Sequence, residues 1–154
     1  MRDFNEADKK KKQKRIQLEE NPGNLSQDQL AQLAEKVKAS IKGGYLSCPV
    51  AWKIADEEKV PRIAVGNVTD RLGVRVTNCQ VGCFKVDKTI PQNIVPRKID
   101  EAIIASMEKL NESRELTCAK VVELAAQIQV APMDLADIAN LRKWKIRQCQ
   151  LGCF

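Results

Sequence analysis

The chain has 154 residues, of which 26 are Lys or Arg, 20 are Asp or Glu and none is His, giving a net charge of +6. Without histidine it lacks the commonest general base and the commonest metal ligand, and no Ser-His or Cys-His nucleophile pair can be assembled. No signal peptide is recognisable and no apolar run approaches the roughly 20 residues that cross a bilayer, so we expect a cytoplasmic, non-enzymatic protein whose six cysteines stay reduced.

Residues 1–24 read as a basic, flexible arm carrying Lys9–Lys12, Lys14 and Arg15. A run of this kind is either a solvated tail or a salt-sensitive grip on nucleic acid. Asn21-Pro22-Gly23-Asn24 reads as the turn that closes it. A first helix begins after Ser26, an N-cap whose capping box is completed by Gln29. Leu30, Leu33, Ala34, Val37 and Ile41 form its apolar stripe, and Gly43-Gly44 is expected to stop it. Ser47 caps a second helix, with Pro49 in the first turn and Val50, Ala51, Ile54 and Ala55 facing inward. Val60 marks a tight turn, and Pro61 opens a third helix with inward residues Ile63, Val65, Val68 and Leu72. Val74–Asn78 alternates apolar with polar residues, as a half-buried strand does.

The order then repeats. Shifted by 70, Ser47–Phe84 aligns with Thr117–Phe154 without a gap, and eight of the 38 positions are identical, all three cysteines among them. Leu33/Ile103, Val37/Met107 and Leu46/Leu116 keep the same phase upstream. Ile99–Leu110 is the expected first helix of the second copy, Thr117 caps its second helix, and Ala131-Pro132 opens the third. Trp144–Arg147 is the expected strand. The domain organisation that follows is an arm at 1–24, a domain at 25–84, a linker at 85–96 and a domain at 97–154. The expected fold is mainly α, a tandem duplication of a three-helix unit with a short β-strand or hairpin closing each copy.

At Val50–Leu72, with small Ala55 in the second helix, Val60 in the turn and Val65 and Val68 beneath the third helix, the sequence resembles the helix-turn-helix superfamily. With the preceding helix and following strand it resembles the winged-helix branch, as two degenerate copies. Lys59 and Gln129 stand where such a turn usually carries glycine. The resemblance implies a DNA-binding transcriptional regulator whose third helix enters the major groove. In the first copy Arg62, Asn67 and Arg71 would face bases, and Arg75 on the strand would face phosphate. The third helix of the second copy offers Met133, Asp134, Asp137 and Asn140, and its carboxylates would repel phosphate. Its basic residues, Arg142, Lys143, Lys145 and Arg147, fall on the strand.

Each copy also carries Cys, thirty residues, then Cys-Gln-Val/Leu-Gly-Cys-Phe: Cys48, Cys79 and Cys83, then Cys118, Cys149 and Cys153. Soft thiolates suit zinc or an iron–sulfur cluster, and a helix N-terminus favours the thiolate of Cys48. Three ligands without histidine leave one position for another group. A reversible disulfide, or plain burial of small side chains, accounts for the same pattern. Two further readings therefore stand beside DNA binding: a cysteine-ligated metal or cluster accessory protein, and an adaptor for a partner protein or a second copy of the chain.

Overall fold

A computed structural model of the chain describes residues 19–83 and 99–154, together with Ala7 and Lys10. Most of the expected arm, including Lys9, Lys11, Lys12, Lys14 and Arg15, lies outside the described residues, as do the expected linker 85–96 and Phe84. Ala7 and Lys10 are helical and exposed. Among the described residues the fold is mainly α, with six helices and one small parallel sheet. The chain divides into two compact units, residues 1–78 with 149–154 and residues 79–148. This differs from a boundary at the linker, because residues 79–83 belong to the second unit and residues 149–154 to the first.

In the first unit, helix α1 (Gln27–Ala39) starts at the expected capping box, in which the Ser26 side chain accepts from Gln29 N while Ser26 N donates to Gln29 Oε1. It ends at Ser40, before the glycine pair. Thirteen residues make a marginal helix in isolation. Leu33 and Val37, buried to 1% and 0% exposure, hold it down at roughly 2 kcal/mol each. Strand β1 (Tyr45–Ser47) leads into α2 (Cys48–Glu58), where Pro49 sits in the first turn. Ser47 is the N-cap residue, although its side chain makes no capping hydrogen bond. Helix α3 (Arg62–Arg71) follows, then strand β2 (Arg75–Thr77). The three helices pack on one another through Leu33, Val37, Ala51, Ile54, Ala55, Val65 and Val68, with Leu46 of β1 in the same core.

Of the strand or hairpin expected to close this unit, the strand is present: β2, within Val74–Asn78, pairs in parallel with β1, in the register Tyr45–Arg75, Leu46–Val76 and Ser47–Thr77. A parallel partner is reached because the α2–α3 pair forms a crossover between the strands, whereas a hairpin needs an immediate return. The buried side of α3 is also wider than its apolar stripe. Ala64, Val65, Gly66, Val68 and Thr69 are buried, while Ile63 and Leu72 are only half-buried. Thr69 is accommodated because its hydroxyl donates to Val65 O at 2.7 Å.

In the second unit, α4 (Glu101–Glu112), α5 (Cys118–Gln127) and α6 (Pro132–Leu141) follow in the same order. Asp100 caps α4, two residues later than a start at Ile99, and Thr117 caps α5 by accepting from Lys120 N at 3.2 Å. Val81, Met107, Leu116, Val121, Ala125, Leu135, Ala136 and Ala139 are among its fully buried side chains. The expected strand Trp144–Arg147 shrinks to one parallel bridge, Thr117 with Arg147, held by Arg147 N to Leu116 O and Cys118 N to Arg147 O at 2.9 Å each.

Backbone detail recurs at the 70-residue spacing. Left-handed residues occur at Gly44 and Arg114, Lys59 and Gln129, Gly73 and Lys143, Asn78 and Gln148, and Gly82 and Gly152. The turn after α2 is closed by Val60 N to Ala55 O and the turn after α5 by Val130 N to Ala125 O, both at 3.0 Å.

Candidate nucleic-acid interface

Helix α3 is the element on which three of the four expected DNA contacts lie, and little of it faces solvent. Within Arg62–Arg71 only Arg71 is exposed. Three separate pieces of the first unit account for this.

Arg62, at the first position of α3, lies with its guanidinium carbon 3.8 Å from the centroid of the Trp52 ring and donates to Gln150 Oε1 at 2.9 Å. A planar guanidinium stacked on indole keeps its edge donors available, which is why arginine and not lysine can make both contacts. Asp56 Oδ1, at 4.0 Å and mostly solvated, adds little. One turn on, Gly66 meets the backbone of Leu151, whose carbonyl oxygen is 2.0 Å from where a β-carbon on Gly66 would stand. The C-terminal turn, closed by Gly152 N to Cys149 O and Cys149 N to Phe154 O, thus occupies one side of α3.

On the other side, Asn67 Nδ2 donates to Glu19 O at 3.2 Å and Arg71 Nη2 donates to Glu20 O. These acceptors precede a built turn. Asn21 Nδ2 donates to Leu25 O at 2.8 Å, Leu25 N donates back to Asn21 Oδ1, and Pro22 and Leu25 are buried. Gly23, at φ +88°, lies so close to the Pro61 ring that a β-carbon would stand 2.9 Å from it. Arg75, the fourth expected residue, is half-buried on β2 opposite Tyr45.

The second unit presents the opposite picture. After α6, Arg142, Lys143 and Lys145 are exposed. Arg142 lies 5.5 Å from the ring centroid of half-buried Trp144, and Leu141 beside it is 78% exposed. Lys145 N donates to Asn111 Oδ1 of α4, which fixes the end of this segment to the helical body. An exposed run of cations around an aromatic ring suits a phosphate backbone.

Cys48 and Cys118 are both buried at the first residue of a helix, immediately after a parallel bridge. Cys79 is buried, Cys83 exposed, and Cys149 and Cys153 half-buried. Both terminal turns have the same closure, Gly82 N to Cys79 O at 3.0 Å and Gly152 N to Cys149 O at 2.8 Å. Each unit contains three cysteines, Cys48 with Cys149 and Cys153 in the first, and Cys79, Cys83 and Cys118 in the second. Among the described residues no group of three or more Cys, Asp or Glu side chains is gathered as a metal site, and no helix is long and apolar enough to cross a membrane.

No protein-family model, curated protein or solved structure matches the chain. Function therefore has to be read from the residues. Two features had no clear sequence signature as site residues: the Trp52–Arg62 stack, because position 122, seventy residues on from Trp52, is Val, and the covering of Asn67 and Arg71 by main-chain carbonyls. Gly66 did carry a signal, since a glycine inside a helix costs about 1 kcal/mol against alanine and marks a close approach.

Proposed function

We propose that this chain is a tandem duplication of a helix-turn-helix unit, related to the winged-helix branch, and that it is a non-enzymatic DNA-binding regulator. The observation that carries the reading is the pair of turns after α2 and α5. Lys59 and Gln129, standing where such turns usually have glycine, adopt φ of 53° and 56°, the left-handed conformation glycine would supply. The next residue, Val60 or Val130, then closes the turn in the same way in both units. Supporting it are the basic residues Arg142, Lys143 and Lys145 after α6, a backbone grip, with Arg62, Asn67, Arg71 and Arg75 on the first unit as its base and phosphate contacts. The assignment of reading to the first unit and gripping to the second follows from the carboxylates Asp134 and Asp137 on α6.

The test is selection of genomic fragments at two salt concentrations by the full chain with Lys9–Lys12 and Lys14 changed to Gln, which removes the arm's unspecific charge. Retention of a few fragments, weakened by Arg142→Ala with Lys143→Ala and made less selective by Arg71→Ala, is expected. Binding that is lost entirely with the arm lysines would overturn the reading.

A second reading rests on the three cysteines in each unit, Cys48, Cys149 and Cys153 in one and Cys79, Cys83 and Cys118 in the other: a zinc or iron–sulfur protein whose thiolates would have to be drawn together by the group they bind, since no such site is gathered among the described residues. Elemental analysis and the visible spectrum of anaerobically purified protein decide it. Stoichiometric metal lost in Cys149→Ser would support it; metal-free protein would end it.

A further inference from the structure

We propose that Glu19–Leu25 is an autoinhibitory strap that closes the outer side of α3 against duplex DNA, an inference that rests on the DNA-binding reading above. Asn67 and Arg71 stand one helical turn apart, and each is occupied by a main-chain carbonyl of the strap, those of Glu19 and Glu20. Glu19 and Glu20 are themselves exposed, so the closed strap brings two acidic residues to the side of α3 where phosphate and base edges would come. The strap is anchored. Pro22 and Leu25 are buried, Asn21 clamps Leu25 in both directions, and Gly23 is seated against Pro61 at the start of α3. Its anchor holds no charge, so the strap is fastened by packing at one end and by two hydrogen bonds at the other.

The strap is also joined to residues 1–18, which carry seven Lys or Arg against three Asp or Glu. A polyanion that engages those cations acts on the chain next to Glu19 and Glu20, whose carbonyls accept from Asn67 and Arg71. Contact of DNA with the arm thus aids the uncovering of Asn67 and Arg71 and is not required for it.

The test uses full-length variants. Gly23→Val drives a branched side chain into Pro61 at a left-handed position and unseats the strap while leaving every charge in place. Asn21→Ala loosens the same turn by another route and covers the case in which Gly23→Val misfolds. Without DNA, the Asn67 side-chain amide resonances should move toward solvent-exposed values in both variants; unmoved resonances would overturn the strap itself. With duplex fragments selected by the wild-type chain, affinity should rise roughly tenfold, the size expected for two released hydrogen bonds, and Arg71→Ala should remove that gain. Glu19→Gln with Glu20→Gln keeps both carbonyls and should give a smaller gain that Arg71→Ala leaves intact. An equal gain from the glutamine pair would overturn the proposal in favour of simple charge repulsion. Resonances that move in a chain that binds no DNA in any form would overturn both the guard against DNA and the DNA-binding reading, whereas DNA bound equally with and without the strap would overturn the guard alone.

Discussion

Gly66 and Leu151 meet backbone to backbone, with the Leu151 carbonyl oxygen 2.0 Å from where a β-carbon on Gly66 would lie. Residue 66 is helical with no positive φ, so replacing it by alanine in an open helix would stabilise by about 1 kcal/mol. Here the added carbon strikes a main-chain atom that no rotamer change can move. Gly66→Ala should therefore destabilise, by roughly 1–3 kcal/mol, or displace residues 149–154. Urea unfolding checks the sign: a more stable variant would mean that the C-terminal turn does not rest on α3.

The same contact explains which parts of the fold were legible. The capping box of Ser26 and Gln29, the cap at Thr117, the N-cap position of Ser47 and the restart at Pro132 are local, and local chemistry is written in adjacent residues. The inward side of α3 departs from its apolar stripe, with Ile63 and Leu72 only half-buried and Gly66 buried, because the tail covering Gly66 is some 85 residues away in the chain and periodicity registers no such partner. Trp144–Arg147 has the alternation of a strand, but only Arg147 reaches a bridging partner. Arg62, Asn67 and Arg71 stand out in the sequence by the chemistry of their side chains. Their partners include the carbonyls of Glu19 and Glu20, and a carbonyl is the same at every residue.

Lys59 and Gln129 hold left-handed backbone without the freedom of glycine. A side chain in that region costs on the order of 1 kcal/mol, and glycine removes the cost while adding some unfolded-state entropy. Lys59→Gly and Gln129→Gly should each be neutral to stabilising by up to about 1 kcal/mol, and Lys59→Val should destabilise. Thermal unfolding of the three variants checks it. A loss of stability in both glycine variants would show that the turns are not left-handed.

Trp52 reports on the first unit because Arg62 lies across its ring, and the indole is 8% exposed. Arg62→Lys loses the planar stack and the geometry that reaches Gln150, and should cost about 1 kcal/mol with a change in indole fluorescence. Gln150→Ala should cost less and leave the stack in place. Identical spectra for Arg62→Lys and the wild type would place Arg62 elsewhere.

Lys36 of α1 is ion-paired with Glu58 of α2, and its pKa is raised above the ordinary lysine value, first by the hydrogen bond to Glu58 and then by the charges of Glu58 and Glu57, with desolvation opposing. A raised folded-state pKa means that the folded chain holds the proton more tightly than the unfolded chain. The pair's contribution is then fully present below the unfolded lysine pKa and disappears as pH rises through the folded one. Glu58→Gln should lower stability slightly and uniformly from pH 6 to 9, and the gap from wild type should narrow on the alkaline side, above the lysine range. Unfolding midpoints of the two chains compared at each pH isolate this pair from the other lysines, which titrate in both. A gap that widens with rising pH would reverse the sign and break the assignment of Glu58 as the partner of Lys36.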